Sequence, residues 1–266
     1  MLLEAIILGV IQGVLEWLPI SSEGNLILVM VMLLGIQQSQ ALAISVYLHA
    51  GTLLSVIIYF RRTIVDLLRV LPKYRLGRSN SEENRLISFL LLSTVLTGLV
   101  GYPIYRFAET ATVTGEYFIA LIGIALIATG LLQKSVRRLG RRTVKELNFT
   151  DALVVGLAQG FSAFPGVSRS GVTASCLLFR GFGTVHALNL SFLMSIPAIF
   201  GAQIGLGLTT GVPNIDILDI ALGCFSSFVS GLISIHVLMK VAQRIRFWLF
   251  CIIIGLIALL PVFSLF

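Results

Sequence analysis

Charged residues are scarce in this sequence. Asp, Glu, Lys and Arg make up 12% of the 266 residues, whereas soluble globular domains carry about 25%. Hydrophobic residues make up 57%, and the mean hydropathy is +0.99. This balance excludes an ordinary soluble domain and a disordered chain, and it predicts an all-α polytopic membrane protein.

Cysteines and cleavage signals are scarce as well. The three cysteines lie singly in apolar runs, with no Cys-x-x-Cys pair and no His at metal-ligand spacing, so neither a zinc site nor a disulfide framework is expected. The amino terminus has no polar n-region and no Ala-x-Ala cleavage site, and we expect the first apolar helix to belong to the mature protein.

The net charge of +7 does not predict a nucleic-acid partner, because most basic residues cluster in loops between apolar stretches.

The apolar stretches are of two kinds. Two of them, 2–36 and 149–181, are interrupted at their centres by Pro, Gly and Ser. We expect each to form a re-entrant helix pair, since broken backbone is tolerated at membrane depth where it is buried in protein or lines a wet cavity. Eight simple spans are the alternative. Six stretches are uninterrupted and have about the 20 residues that a span requires: 41–60, 86–106, 117–133, 186–207, 217–239 and 248–266.

The basic residues predict the orientation. Of the 19 Lys and Arg residues, seven lie in 61–85, six in 134–146 and three in 240–246, so these loops are expected in the cytoplasm. The loops 107–116 and 208–216 contain acidic residues and no Lys or Arg. They are expected on the outer side, and the six spans then alternate correctly.

An internal repeat appears when the chain is shifted by 147 residues. It predicts two domains, 1–147 and 148–266, each a re-entrant pair followed by three spans. An odd number of spans makes the second copy inverted, so the two broken loops can meet near the midplane, where transporter folds place their sites. The matching pairs are Gly9 and Gly156, Gln12 and Gln159, Gly13 and Gly160, Ser21 and Ser168, and Gly24 and Gly171.

Few charged residues lie within the apolar stretches, and such residues mark functional sites by default. Glu16 lies four residues after Gln12, on the same helix face. Arg169 lies in the second broken loop between Ser168 and Ser170. A loop of small residues with one guanidinium offers a phosphate group backbone N–H groups, hydroxyls and a planar charged fork.

Two segments carry a family resemblance. Residues 12–24 read Gln-Gly-Val-Leu-Glu-Trp-Leu-Pro-Ile-Ser-Ser-Glu-Gly, and 165–171 read Pro-Gly-Val-Ser-Arg-Ser-Gly. Both resemble signatures of the undecaprenyl-diphosphate phosphatases, the bacitracin-resistance family, and 48–54 and 191–199 are similar to further family segments. The resemblance implies an enzyme of the plasma membrane that opens outward and removes the terminal phosphate of a C55-type polyprenyl diphosphate. It thereby recycles the lipid carrier of cell-wall glycans.

The resemblance also implies residue roles. Glu16 would bind a divalent cation, Mg²⁺ or Ca²⁺, or transfer a proton, Ser22 would be the nucleophile or a phosphate contact, and Arg169 would clamp the diphosphate. These three form the expected catalytic set. The expected substrate contacts are Gln12, Ser21, Glu23, Asn25, Gly166, Ser168, Ser170 and Gly171.

One position departs from the family pattern. Asn25 stands where the pattern usually has His, and an amide can orient and hydrogen-bond but cannot act as a base. Glu23, in the same loop, could replace that base. His49 precedes Gly51 and Thr52 in a span and could border the cavity, but a lone His in a span is more often a packing residue, and we leave it out of the expected catalytic set.

Three alternatives stay open. Gln12 and Glu16 could be a buried hydrogen-bonded pair that holds two helices together. The inverted repeat also suits a polyprenyl-phosphate transporter or flippase, and Asn25 in place of His also suits a catalytically weakened relative. The expected partners are the lipid substrate, the membrane and a further copy of the chain in a homo-oligomer.

The orientation can be tested by cysteine labelling in a background without the native cysteines. Cysteines at 76 or 140 should be shielded from an impermeant thiol reagent in whole cells, whereas cysteines at 112 or 212 should react, because basic loops stay inside. Labelling at 140 but not at 112 would invert the orientation.

Overall fold

The computed structural model describes residues 2–75, 81–110, 116–136, 140–209, 216–241 and 247–263. Within these residues the chain is all-helical, as predicted, with eleven α-helices and no β-strand. The helices are α1 (Leu2–Trp17), α2 (Ser22–Leu28), α3 (Gln38–Tyr59), α4 (Arg61–Val70), α5 (Glu82–Thr110), α6 (Glu116–Ser135), α7 (Phe149–Gly160), α8 (Arg169–Phe179), α9 (Thr184–Thr209), α10 (Ile217–Val241) and α11 (Phe247–Phe263).

Five of the described helices are long and apolar enough to cross a membrane: α3, α5, α6, α9 and α10. They coincide with five of the six predicted spans. The sixth predicted span, 248–266, corresponds to α11, a helix of 17 residues. Its last three predicted residues lie outside the described part of the chain.

Both predicted helix breaks are present. Between α1 and α2 the chain turns at Pro19 and Ser21, and Ser21 has a φ of +56°. Between α7 and α8 it turns at Gly166, whose φ is +96°. A serine caps the second helix of each pair, because the Oγ atoms of Ser21 and Ser168 accept hydrogen bonds from backbone N–H groups three residues later, at 3.2 and 3.0 Å. Each interrupted stretch is therefore two short helices rather than one long one.

Glycines set the packing of the first helix of each pair. A Cβ atom on Gly9 or Gly13 of α1 would lie within 2.5 Å of a backbone oxygen of α10. A Cβ atom on Gly156 of α7 would lie 2.8 Å from the backbone oxygen of Ser93 in α5. Small residues allow such close approach between membrane helices, so α1 is held against α10 and α7 against α5.

A buried ion cluster ties α7 and α8 to the preceding loop. The Asp151 carboxylate accepts from both terminal nitrogens of Arg142, at 3.0 and 2.6 Å, and from Nε of Arg180 at 2.7 Å. The Asp151 side chain has no exposed surface. Burial alone would raise the pKa of Asp151, but the hydrogen bonds from Arg142 and Arg180 outweigh it and hold that pKa below its usual range. No sequence pattern predicts this cluster.

One labelling position is unsuitable in the structure. A Cβ atom at Gly140 would lie 1.8 Å from the backbone oxygen of Gly181, so a cysteine there would disturb the fold. Lys145 is exposed in the same loop and is the better labelling position in this predicted cytoplasmic loop. Positions 76, 112 and 212 lie outside the described residues.

Replacement of Asp151 by Asn should lower the stability of the purified protein. The change leaves two guanidinium groups without their carboxylate, which costs about 2–3 kcal/mol for partly buried groups and lowers the melting temperature in detergent by roughly 5–10 °C at pH 7. Because the folded-state pKa of Asp151 is lowered, its contribution is present above the unfolded pKa and fades as the pH falls below about 4. Equal melting temperatures of the wild type and Asp151→Asn at pH 7 would contradict the stabilising role of Asp151.

Candidate active site

The centre of the site is the buried carboxylate of Glu16, which is 5% exposed. Its Oε2 accepts from Nε2 of Gln12 at 2.9 Å and from Oγ of Ser22 at 2.6 Å, and it lies 3.1 Å from Nε2 of His49. Its Oε1 accepts from a terminal nitrogen of Arg169 at 2.5 Å. Of the three predicted catalytic residues, Glu16 therefore contacts both of the others, Ser22 and Arg169.

Local sequence explains much of this arrangement. Gln12 and Glu16 share one face of α1 because they are four residues apart. Ser22 returns to Glu16 because the chain turns back between α1 and α2. Arg169 begins α8, and its guanidinium carbon lies 5.8 Å from the centre of the Trp17 ring.

The two broken loops meet backbone to backbone. A Cβ atom on Gly24 would lie 2.8 Å from Cα of Gly166 and 2.9 Å from its nitrogen. Gly166 in turn packs on α6, because a Cβ atom on Gly166 would lie 2.7 Å from the backbone oxygen of Ile122. This close contact sets the distance between the loop that carries Ser22 and the loop that carries Arg169.

A cavity of about 430 Å³ opens beside these residues. Its polar end contains Glu16, Glu23, His49 and Arg169, together with hydroxyls of both loops. Its remaining walls come mainly from α5 and α9. The α5 face presents Thr94, Thr97, Gly98, Gly101, Tyr102 and Tyr105, and the α9 face presents Pro197, Ala198, Ile199, Gly201, Ala202, Gln203 and Gly205.

The predicted substrate contacts divide into two groups. Ser21, Glu23, Ser168 and Ser170 line the cavity together with Ser22. Four others, Gln12, Asn25, Gly166 and Gly171, are not among the lining residues and serve the framework of the site.

Asn25 illustrates the second group. Its Nδ2 donates to the backbone oxygens of Ile20 and Ser21, both at 2.8 Å. These bonds hold the turn between α1 and α2 and use both hydrogens of the amide.

His49 is a residue that sequence reasoning left out of the catalytic set. Its imidazole contacts Glu16 and lines the cavity, so it belongs to the site and is more than a packing residue. A signal was present: Ser45, His49 and Thr52 lie at positions i, i+4 and i+7, which makes one polar stripe along an otherwise apolar helix. A second missed residue is Gln159, which lines the cavity and donates to Oγ1 of Thr97 at 3.0 Å.

The donor set does not favour a resident divalent cation. In the described part of the chain, no three His, Cys, Asp or Glu residues form a group that could hold a metal ion. Both oxygens of Glu16 already face hydrogen-bond donors, one of them the guanidinium of Arg169. The cation expected at Glu16 stays a prediction.

Together, these features define a multi-pass helical membrane protein with a buried carboxylate–guanidinium site beside a largely apolar cavity. The model of the family described as "Bacitracin resistance protein BacA" matches residues 5–260, and this chain belongs to that family.

Similar proteins agree with this assignment. A Methanococcoides burtonii protein named undecaprenyl-diphosphatase is 47% identical over 262 residues, which is 98% of each chain. Proteins of the same name from Methanothrix thermoacetophila and Methanopyrus kandleri are 39% and 41% identical, over 97% and 96% of this chain and 95% and 94% of their own.

Replacement of Gly24 by Ala should destabilise the protein, because the new methyl group would push against the backbone of Gly166. We expect a cost of about 1–3 kcal/mol, measured as a lower melting temperature in detergent. Gly98→Ala is the matched control, since its added Cβ atom would meet no atom within 4 Å. A Gly24→Ala protein as stable as the control would contradict the close contact of the loops.

Proposed function

We propose that this chain is an undecaprenyl-diphosphate phosphatase of the plasma membrane. It hydrolyses a polyprenyl diphosphate to the monophosphate and inorganic phosphate, recycles the lipid carrier for cell-wall glycan synthesis and so contributes to bacitracin resistance. The observation that carries the proposal is the contact of Arg169, Glu16 and Ser22 at the polar end of the cavity. The family and the name of its relatives support the same reaction.

Arg169 is suited to hold the diphosphate. It is the first residue of α8, and the positive end of a helix dipole favours phosphate groups. Its guanidinium presents a planar fork that matches two phosphate oxygens. Phosphoryl transfer depends mainly on positioning and on neutralisation of charge. Ser168 and Ser170 line the cavity beside the guanidinium, and the hydroxyl of Ser170 also donates to the backbone oxygen of Leu18 at 2.9 Å.

Ser22 is suited to attack the terminal phosphorus. Its hydroxyl already donates to Oε2 of Glu16 at 2.6 Å, so Glu16 can accept the hydroxyl proton as the bond from Oγ to phosphorus forms. The bond between the terminal phosphorus and the bridging oxygen breaks, and the polyprenyl monophosphate leaves. Water then hydrolyses the phosphoserine.

The walls of the cavity support an outward-facing site. On α5 the lining residues run from Thr94 to Tyr105, the half of the helix that leads to the acidic loop 107–116. On α9 they run from Pro197 to Gly205, the half that leads to 208–216. Both loops lack basic residues and are therefore the ones expected on the outer side. The apolar walls of the cavity also suit a polyprenyl tail.

The packing of the helices supports the inverted repeat, with domains 1–147 and 148–266, six spans including α11, and two re-entrant pairs. The first helix of each half packs on a long span of the other half, α1 on α10 and α7 on α5. The last spans of the halves meet at Gly123 and Gly255, where a Cβ atom on either would lie within 2.7 Å of the other's backbone oxygen. These reciprocal contacts are those of a two-fold arrangement.

The purified protein should release phosphate from undecaprenyl diphosphate in detergent micelles, and Arg169→Lys should lose most of that activity. Lys keeps the charge but not the fork, and loss of one charge-assisted hydrogen bond corresponds to roughly 10- to 100-fold. Phosphate release is measured with EDTA, Mg²⁺ or Ca²⁺, which also tests the expected cation.

Arg69→Lys is the control, because the Arg69 side chain is exposed on α4. Near-normal turnover of Arg169→Lys would argue against a bidentate contact. A wild-type protein that binds the lipid without releasing phosphate would argue for the transport alternative.

A further inference from the structure

The imidazole of His49 is held between two hydrogen-bond acceptors. Its Nδ1 lies 2.6 Å from the backbone oxygen of Ser45, and its Nε2 lies 3.1 Å from Oε2 of Glu16. A carbonyl oxygen only accepts, so Nδ1 carries a hydrogen. A lone pair on Nε2 would face the lone pairs of a carboxylate, so a proton also lies between Nε2 and Oε2. The ring therefore brings a proton to the centre of the site.

His49 is also the imidazole available to the substrate. Of the three histidines in the sequence, it is the one among the described residues that lines the cavity; His186 and His236 do not. The position at which the family pattern has His is Asn25, and that side chain holds the carbonyls of its own loop. The site thus lacks the imidazole of the signature and has another one on α3.

We infer that His49 is the acid–base residue of this chain, an assignment that rests on the proposed function. In the first step Oγ of Ser22 bonds to the terminal phosphorus, and its proton passes to Glu16. The bond to the bridging oxygen breaks, and the Nε2 proton of His49 passes to the leaving monophosphate. In the second step a water molecule attacks the phosphoserine and gives a proton to His49, while Oγ leaves and recovers its proton from Glu16. Every proton is returned.

A structural role makes a different prediction for the same contacts. If His49 only joined α3 to α1, a side chain that donates one hydrogen bond to Glu16 would replace it. His49→Gln supplies such a donor but cannot carry a proton to and from the reacting groups. His49→Ala removes the ring and leaves space in a cavity that is open to small molecules.

The experiment measures phosphate release from undecaprenyl diphosphate by the wild type, His49→Gln, His49→Ala and the control His236→Gln, together with their melting temperatures. We expect kcat of His49→Gln to fall about 10²- to 10⁴-fold while KM changes little, because the clamp at Arg169 is intact. Added imidazole should restore part of the activity of His49→Ala. The control should match the wild type.

Two results would overturn the assignment: a His49→Gln enzyme within about threefold of the wild type, or a His49→Ala enzyme that imidazole does not restore. The imidazole experiment on His49→Ala tests the assignment even if His49→Gln has a lower melting temperature than the wild type. Failure of the proposed function itself is distinct, since the wild type would then release no phosphate.

Discussion

A carboxylate buried among apolar helices is the constraint that organises this protein. An unpaired charge in such a place is very costly, so it must be surrounded by donors. Glu16 receives them from four separate helices: Gln12 on α1, Ser22 on α2, His49 on α3 and Arg169 on α8. Removing α2, α3 or α8 would leave the carboxylate of Glu16 on α1 less than fully paired. The need to neutralise Glu16 therefore assembles the site.

The broken helices create a second need for polar groups. Where a helix stops among apolar neighbours, its free carbonyls must find donors. Nε2 of Gln133 donates to the backbone oxygen of Pro19 at 2.5 Å, and Oγ of Ser170 donates to that of Leu18 at 2.9 Å. Asn25 likewise donates to backbone oxygens, those of Ile20 and Ser21 in the turn that precedes it. Polar residues in such loops thus serve the substrate cavity, the backbone or, like Ser170, both, and residue type alone does not tell these roles apart.

This division explains what the sequence could and could not predict. The breaks were predictable from Pro, Gly and Ser, and the pairing of Gln12 with Glu16 from their spacing, because both are local patterns. The contact of His49 with Glu16 joins residues 33 positions apart on different helices, and the cluster around Asp151 joins a loop to two helices. Such contacts leave no periodic signal, although the polar stripe on α3 marked the face that carries His49.

The choice of Arg at position 169 follows from the two tasks that this cation has to perform. A guanidinium has five N–H groups, and the contacts with Glu16 and with the backbone oxygen of Ser191 use one terminal nitrogen each, at 2.5 and 3.3 Å. N–H groups are therefore left for a phosphate while the pair with Glu16 persists. The imidazole of His49 lies 3.1 Å from Oε2 of Glu16, so the carboxylate keeps a second partner when an anionic headgroup shares Arg169. The carboxylate, the Ser191 carbonyl and two phosphate oxygens make four acceptors, one more than the three donors of an ammonium group, which also lacks the planar fork.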